Sequence, residues 1–376
     1  MTELEAVSGV GPAASKRLRE VLVTTAELLA VQNPVELATK TKLGEGTTLK
    51  IIRSARQLVG LCGFKSGLEV EQEMASKPRL SSGLKEMNRQ MFGGIECGSI
   101  VEFYGPARGG KTQWCCQLAV VAQLPREKGG LEGRILWLDT ENSFKPWVIR
   151  ANAVRFGLDP DVALGNIGLA HIVISEQITD VFESIPQLCA EQDYKLVVID
   201  SLTGLFRAEY KGLNALTTRQ QTMNQLLNQM RRIAAATNAV FVYTNQVMST
   251  VSIYGGNPNA PAGGHVISHA SDYRFYTRRK SGVVRLVELQ DNAGIPEFKV
   301  EVMMGWGGFY MDTDEKKETE SRILDYFKMR GWSAESGEEE QAASEKSARK
   351  KRKKAAHAEK ESEGDVKEEV DEEEEQ

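Results

Sequence analysis

Long apolar runs are missing from this sequence, and none approaches the ~20 residues that a helix needs to cross a bilayer. No membrane partner is therefore expected. The first 20 residues mix acids and bases around no apolar centre, so no secretory leader is expected either. Cysteine is scarce. The five present (Cys62, Cys97, Cys115, Cys116 and Cys189) make no C-x-x-C pair, and the four histidines do not cluster with them. That pattern argues against a zinc site and a disulfide framework, and for reduced thiols in an intracellular protein. A strong charge of one sign is also lacking, since the formal net charge is −5 over 376 residues. Residues 335–376 alone hold 16 acids and 9 bases, a net of −7, which leaves about +2 for residues 1–334. Any polyanion must therefore be met by local patches rather than by a global field.

Three regions separate by composition. Residues 1–66 carry Leu, Ala, Val and Thr at helical spacing, broken by glycine turns, and read as a small all-α domain. Residues 67–79 are polar and read as a linker. Residues 80–333 alternate short β-branched runs with longer helical stretches, which is the pattern of an α/β domain with a mostly parallel sheet. Residues 334–376 are low-complexity Glu, Lys, Ala and Ser, too poor in large apolar side chains to offset the entropy of ordering, and are expected to be disordered. Strands are expected at 99–104, 134–139, 195–200, 239–244, 284–289 and 298–302.

The first of these strands runs into Gly105-Pro106-Ala107-Arg108-Gly109-Gly110-Lys111-Thr112, which fits G-x-x-x-x-G-K-[ST], and a helix follows from Gln113. Such a loop curls so that backbone N–H groups point at phosphate oxygens. Lys111 then reaches the terminal phosphates of ATP and Thr112 ligates Mg²⁺. Four apolar residues lead to Asp200, which suits a second handle on Mg²⁺; its plainer reading is a helix cap. Glu141, just past the strand ending at Asp139, is placed to activate water, or else is a solvated loop acid. Near the start of the chain, Gly9-Val-Gly11-Pro12 opens a helix with Lys16 and Arg17 beside it, and Leu43-Gly44-Glu-Gly46 is a degenerate second copy. That pair reads as helix-hairpin-helix, whose free N–H groups can grip a DNA phosphate without reading bases. An ordinary small helical bundle is the alternative.

An ordered series of motifs resembles the RecA/RadA strand-exchange recombinases. It comprises Leu80-Ser-Ser-Gly-Leu-Lys-Glu-Met, Phe92-Gly-Gly-Ile-Glu-Cys-Gly-Ser-Ile-Val-Glu-Phe-Tyr-Gly105, Lys111-Thr-Gln113, Asp139-Thr-Glu-Asn142, Asp200-Ser-Leu-Thr203, Phe206-Arg-Ala-Glu-Tyr210, Arg219-Gln-Gln221, Thr244-Asn-Gln-Val247 and Gly263-Gly-His265 to His269. The resemblance implies a DNA-dependent ATPase with a RecA-type P-loop core. It would form helical filaments on single-stranded DNA, with ATP shared between protomers, and pair it with double-stranded DNA in recombinational repair. Other recombination mediators are further implied partners. On that resemblance Gln246 senses the γ-phosphate, while His269 and Asp291 approach a neighbour's nucleotide. Arg207, Lys211, Arg219, Gly263, Gly264 and a loop at 248–262 with Val251, Ile253 and Tyr254 would meet DNA. Phe64, Ser66 and Gly67 stand where the family has its subunit-linking Phe-x-Thr-Ala. That loop also suits base stacking unaided, since its Gly and Pro residues block regular structure around three large apolar side chains.

The sequence departs from the family at Ser66-Gly67, at Val148 where an arginine stacks on adenine, at Leu213 in the first DNA loop, and at Ala293 where a proline is usual. These departures keep open a paralogue that assists a principal recombinase and binds ATP with little strand exchange. A hexameric helicase of the same core is disfavoured by the helix-hairpin-helix and Phe64. The basic run 349–354 suits a nuclear-localisation signal or a DNA-grasping arm, so the expected compartment is the nucleus of a eukaryote or the nucleoid and cytoplasm of a prokaryote.

Overall fold

The structure, a computed structural model, describes residues 1–209, 214–248, 260–261 and 270–332. The chain divides into two units, 1–320 and 321–376. The first begins with four short helices, α1 (Pro12–Glu20), α2 (Ala26–Ala30), α3 (Pro34–Thr41) and α4 (Glu45–Leu58). Thr25 caps α2 by accepting from Leu28 N at 3.2 Å, and Asn33 caps α3 by accepting from Val35 N at 2.9 Å. Leu4, Val7, Leu18, Leu28, Leu29, Leu37, Ile51 and Ile52 close into one small core.

The segment read as a linker begins with helix α5 (Gly67–Ser76), none of whose residues is buried. Its start is a capping box. Glu69 N donates to Ser66 Oγ at 3.2 Å, and Ser66 N donates to Glu69 Oε2 at 2.6 Å.

The elements β1 (Arg79–Leu80), α6 (Lys85–Gln90), β2 (Ile95–Glu96), β3 (Ile100–Gly105), α7 (Lys111–Val121), β4 (Arg134–Asp139), α8 (Pro146–Phe156), α9 (Pro160–Gly165) and β5 (Ile167–His171) follow. After them come α10 (Ser175–Glu191), β6 (Tyr194–Asp200), α11 (Gly204–Glu209), α12 (Asn214–Thr237), β7 (Val240–Met248) and β8 (Ala260–Pro261). The chain then forms β9 (Tyr273–Ser281), β10 (Val284–Asp291), β11 (Phe298–Gly305), β12 (Gly308–Tyr310) and α13 (Thr313–Met329).

Among the described residues the main sheet has ten strands, in the order β12-β11-β10-β9-β3-β7-β6-β4-β5 with β8 beside β7. From β9 to β5 neighbours run parallel, while β10, β11 and β12 add an antiparallel extension. Parallel strands covered on both faces need unbroken apolar runs, and their period of two splits each run between two cores. Ile135 and Trp137 of β4 enter the core shared with α7 and α8, whereas Leu136 and Leu138 enter the one shared with α10 and α12. Trp137 and Trp114 are fully buried, so truncating either to Ala costs about 3–5 kcal/mol.

The helical lobe rests on this second layer. Ala236 of α12 joins its core, and Lys40 pairs with Glu183 at 2.8 Å. In the second unit, the Phe327 ring stacks on Trp332 with centroids 5.5 Å apart.

Candidate nucleotide-binding site

The loop between β3 and α7 leaves the carboxyl edge of the sheet, the usual ligand crevice of open α/β folds. Two neighbouring strands fix its shape. Thr277 of β9 donates its hydroxyl to Gly109 O at 2.7 Å, and the buried Arg285 of β10 donates Nε to Arg108 O at 3.0 Å. A Cβ on Gly109 would lie 2.6 Å from Thr277 O, so this approach admits only glycine. Beneath the loop, Phe309 presses on Gly110 and stacks on Trp114 with centroids 4.2 Å apart. Trp114 N makes the first backbone bond of α7, to Gly110 O at 3.0 Å. By helix geometry the N–H groups of Lys111, Thr112 and Gln113 therefore point out of the first turn toward the loop. Lys111 Nζ folds back onto Gly105 O at 3.0 Å and Pro106 O at 3.1 Å. Burial lowers its pKa, and the nearby Asp200 and Glu141 oppose that shift. The buried Gln113 Oε1 has no hydrogen-bond partner among the described residues.

Asp200 ends β6 beneath the loop. It is 2% exposed and accepts from Thr112 Oγ1 at 2.7 Å, from Ser143 Oγ at 2.8 Å and from Thr244 Oγ1. Its partners are hydroxyls facing the loop. The turn after β6 is braced instead by Ser201, whose Oγ accepts from Gly204 N at 3.2 Å, so the helix-cap reading of Asp200 is the weaker one. Burial pushes the Asp200 carboxyl above the usual aspartate range, while the three hydroxyls pull it down. A buried carboxylate and the Thr112 hydroxyl beside the outward N–H groups of the first turn of α7 fit Mg²⁺ and a triphosphate: the metal would take oxygen donors, and the phosphates the N–H groups and Lys111.

Glu141 lies past β4 in a loop shaped by Asp139, which accepts from Ser143 N at 3.0 Å and Phe144 N at 3.0 Å. Ser201 Oγ donates to Glu141 Oε1 at 2.5 Å and Gln246 Nε2 donates to the same oxygen at 3.0 Å. Strand β7 continues past residue 244, so Gln246 pairs in register with Gly105 at the mouth of the loop. Lys111, Thr112, Glu141, Asp200 and Gln246 thus converge.

Other expected site residues lie elsewhere. Asp291 stands opposite Arg274 in the strand register at the far end of the sheet, away from this chain's own loop, beside a cavity of about 780 Å³ that Asp272, Tyr273 and Asn292 also line. Gly9 and Gly11 sit at the turn into α1, and Gly11 is its N-cap with no side-chain cap. Phe64 is fully exposed. Val148 is 3% exposed and faces the core, while the adjacent Trp147 is half-buried with its ring centroid 5.7 Å from that of Trp306. Arg219 is half-buried in α12, and Arg207 belongs to α11. Lys211, Val251, Ile253, Tyr254, Gly263, Gly264, His269 and the tail 334–376 lie outside the described residues.

Sequence reasoning missed Thr277 and Arg285, for which no motif gives a signal. It also gave Ser143 no role, and it marked Thr244 only as the polar end of its apolar run, as Asp139 and Asp200 are of theirs, without the contact to Asp200.

A model of the Rad51 family matches residues 75–311. The chain belongs to the Rad51 family. Among curated proteins it is similar to the DNA repair and recombination protein RadA of Methanocorpusculum labreanum, with 36% identity over 321 residues that cover 81% of this chain and 98% of that relative. The P-loop, Asp139, Glu141, Asp200 and Gln246 all fall inside the stretch matched to the Rad51 family.

Proposed function

We propose that this chain is a DNA-dependent ATPase that assembles with copies of itself on single-stranded DNA and catalyses homologous pairing and strand exchange. Membership of the Rad51 family supports a role in recombination and repair, together with binding of ATP and DNA. The observation that carries the finer reading is the grip on Glu141, whose Oε1 accepts from both Ser201 Oγ and Gln246 Nε2.

Bound Mg–ATP would supply the electrophilic phosphorus and the charge that neutralises Asp200. Lys111 then leaves the carbonyls of its own loop for the phosphates. Glu141 holds water by its second oxygen and takes the proton as general base. Gln246 sits at the end of β7, two residues before the segment assigned to DNA, so its bond to Glu141 joins the hydrolytic site to the DNA-binding loop. Sharing of the nucleotide across a junction is consistent with Asp291 lying too far from its own loop to serve it. The burial of Val148 favours one second reading, the paralogue, because the expected adenine contact is lost and only Trp147 stands beside it.

Glu141→Gln should keep nucleotide affinity and slow hydrolysis by about 10²-fold or more, as befits a general base. Normal turnover in that variant would remove the assignment. Electron microscopy with single-stranded DNA and a non-hydrolysable ATP analogue tests the whole reading. Helical filaments support it, discrete small particles support the paralogue, and closed rings support a helicase.

A further inference from the structure

Glu102 is a fully buried carboxylate that the chemistry above does not use. It lies on β3, three residues before the phosphate loop, and its two oxygens face the two neighbouring strands. Arg274 Nε of β9 donates to Oε2 at 2.8 Å, and Asn245 Nδ2 of β7 donates to Oε1 at 2.8 Å. On its other side Asn245 accepts twice through Oδ1, from Gln246 N at 2.8 Å and from Thr203 Oγ1 at 2.8 Å. Asn245 is fully buried and Thr203 is 1% exposed. We propose that the Glu102–Arg274 ion pair is a positioning device for hydrolysis: it fixes which way the Asn245 amide points, and through it both groups that hold Glu141. The inference rests on the reading of Glu141 and Gln246 given above.

The argument is one of donor and acceptor polarity. An ionised carboxylate only accepts and a backbone N–H only donates, so one orientation of the Asn245 amide satisfies both neighbours. Burial raises the Glu102 pKa above the ordinary glutamate value, while the Arg274 guanidinium and the Asn245 amide, each donating to one of its oxygens, favour the charged form. Both arms from Asn245 Oδ1 end on Glu141. One passes through Gln246, whose Nε2 touches Glu141. The other passes through Thr203 into the turn that presents Ser201 Oγ. That turn is tight, since a Cβ on the next residue, Gly204, would lie 2.8 Å from Ser201 Oγ and 3.1 Å from Glu141 Oε1. Glu102, Asn245 and Thr203 are buried behind the phosphate loop and Arg274 lies outside it, so loss of the device should leave nucleotide affinity nearly unchanged and misplace the base.

A polarity swap tests it on the full chain. In Glu102→Gln, Arg274 takes the amide oxygen, and the new NH₂ group forces Asn245 to turn its own NH₂ toward Gln246 N. In Asn245→Asp, two carboxylates face each other. The double variant restores the named bonds in reverse. The new amide on β3 donates to the new carboxylate on β7, and that carboxylate still accepts from Gln246 N and Thr203 Oγ1. Each single change should lower kcat by about 10- to 100-fold, the scale of a misplaced catalytic group, with the Kd of a fluorescent ATP analogue within about threefold of the parent. The double variant should recover kcat to within about threefold. Fully active single variants, a double variant no better than the worse single, or losses shared equally by Kd and kcat would each overturn the proposal. A crystal structure of Glu102→Gln reads the same point without turnover. A flipped Asn245 with Gln246 Nε2 out of reach of Glu141 supports the inference, and an unmoved Gln246 refutes it. Failure of the functional reading is a separate result, namely a parent chain whose nucleotide affinity is indifferent to Lys111→Ala.

Discussion

The free chain would be more stable without the charge on Asp200. Burial raises its pKa above the ordinary aspartate value and the Glu141 charge adds to that rise, while three hydroxyls work the other way. An acid whose folded-state pKa is raised binds its proton more tightly folded than unfolded. Its contribution to stability is therefore intact below the unfolded value and is lost as pH rises through the folded one. Binding of Mg²⁺ with ATP has the opposite slope, because only the ionised carboxylate can hold the cation, so affinity strengthens over that same interval. Asp200→Asn removes the conflict, since its amide oxygen can still accept from Thr112 and Ser143 while its NH₂ donates to the Thr244 hydroxyl. The melting temperature of the free protein should hold or rise, with each kcal/mol regained worth about 2–4 °C in a domain this size. The further rise on adding Mg–ATP should disappear. A variant that melts earlier without ligand, yet still gains stability from Mg–ATP, would show that Asp200 serves the fold rather than the metal.

At the level of elements, the phosphate loop depends on its neighbours more than its motif reveals. Gly110 has φ +99, a left-handed conformation, and an added Cβ would lie 2.7 Å from the Phe309 ring. That ring cannot retreat, because it is fully buried and stacked on Trp114. Gly110→Ala should therefore cost about 1–3 kcal/mol in thermal or chemical unfolding and abolish nucleotide binding, while the secondary structure seen by circular dichroism is kept. Normal affinity in that variant would mean that the loop reshapes freely. The strands that carry the motifs were legible because β3, β4, β6 and β7 are buried on both faces and so write themselves as apolar runs. Strand β9 was not. Arg274, Arg278, Arg279 and Lys280 break its pattern, yet Tyr273, Phe275 and Thr277 point inward and Arg274 is paired with Glu102. The same masking hid Thr277, the clamp on Gly109. Edge strand β5 has only five residues and two small ones, too little for a periodic signal. Gln246 was found by family resemblance alone, and its contact with Glu141 needed the extra register of β7 beside the phosphate loop.

For the whole molecule, the question is how one chain meets the next, and Phe64 bears on it most directly. Its ring is fully exposed just before α5, whose Leu68, Val70 and Met74 are exposed as well. A ring that buries nothing within its own chain contributes nothing to that chain's stability, so Phe64→Ala should leave the melting temperature of the unassembled protein unchanged. If the ring instead enters a pocket on a neighbouring copy, each junction loses about 1.5–3 kcal/mol, which is roughly a 10- to 150-fold weaker contact. The departure at Gly67 leaves the start of α5 intact, because Ser66 and Glu69 cap the helix on their own and, apart from the helix backbone and its chain neighbours, nothing lies within 4 Å of the Cβ that Gly67 lacks. In the proposed filament the junction repeats, so the per-junction loss would appear directly as a rise in the concentration needed to polymerise. Sedimentation with single-stranded DNA and a non-hydrolysable ATP analogue reads that threshold, while ATP binding by dilute, unassembled protein should be untouched. An unchanged threshold would take Phe64 out of the interface and leave the junction to be built from other surfaces of the core.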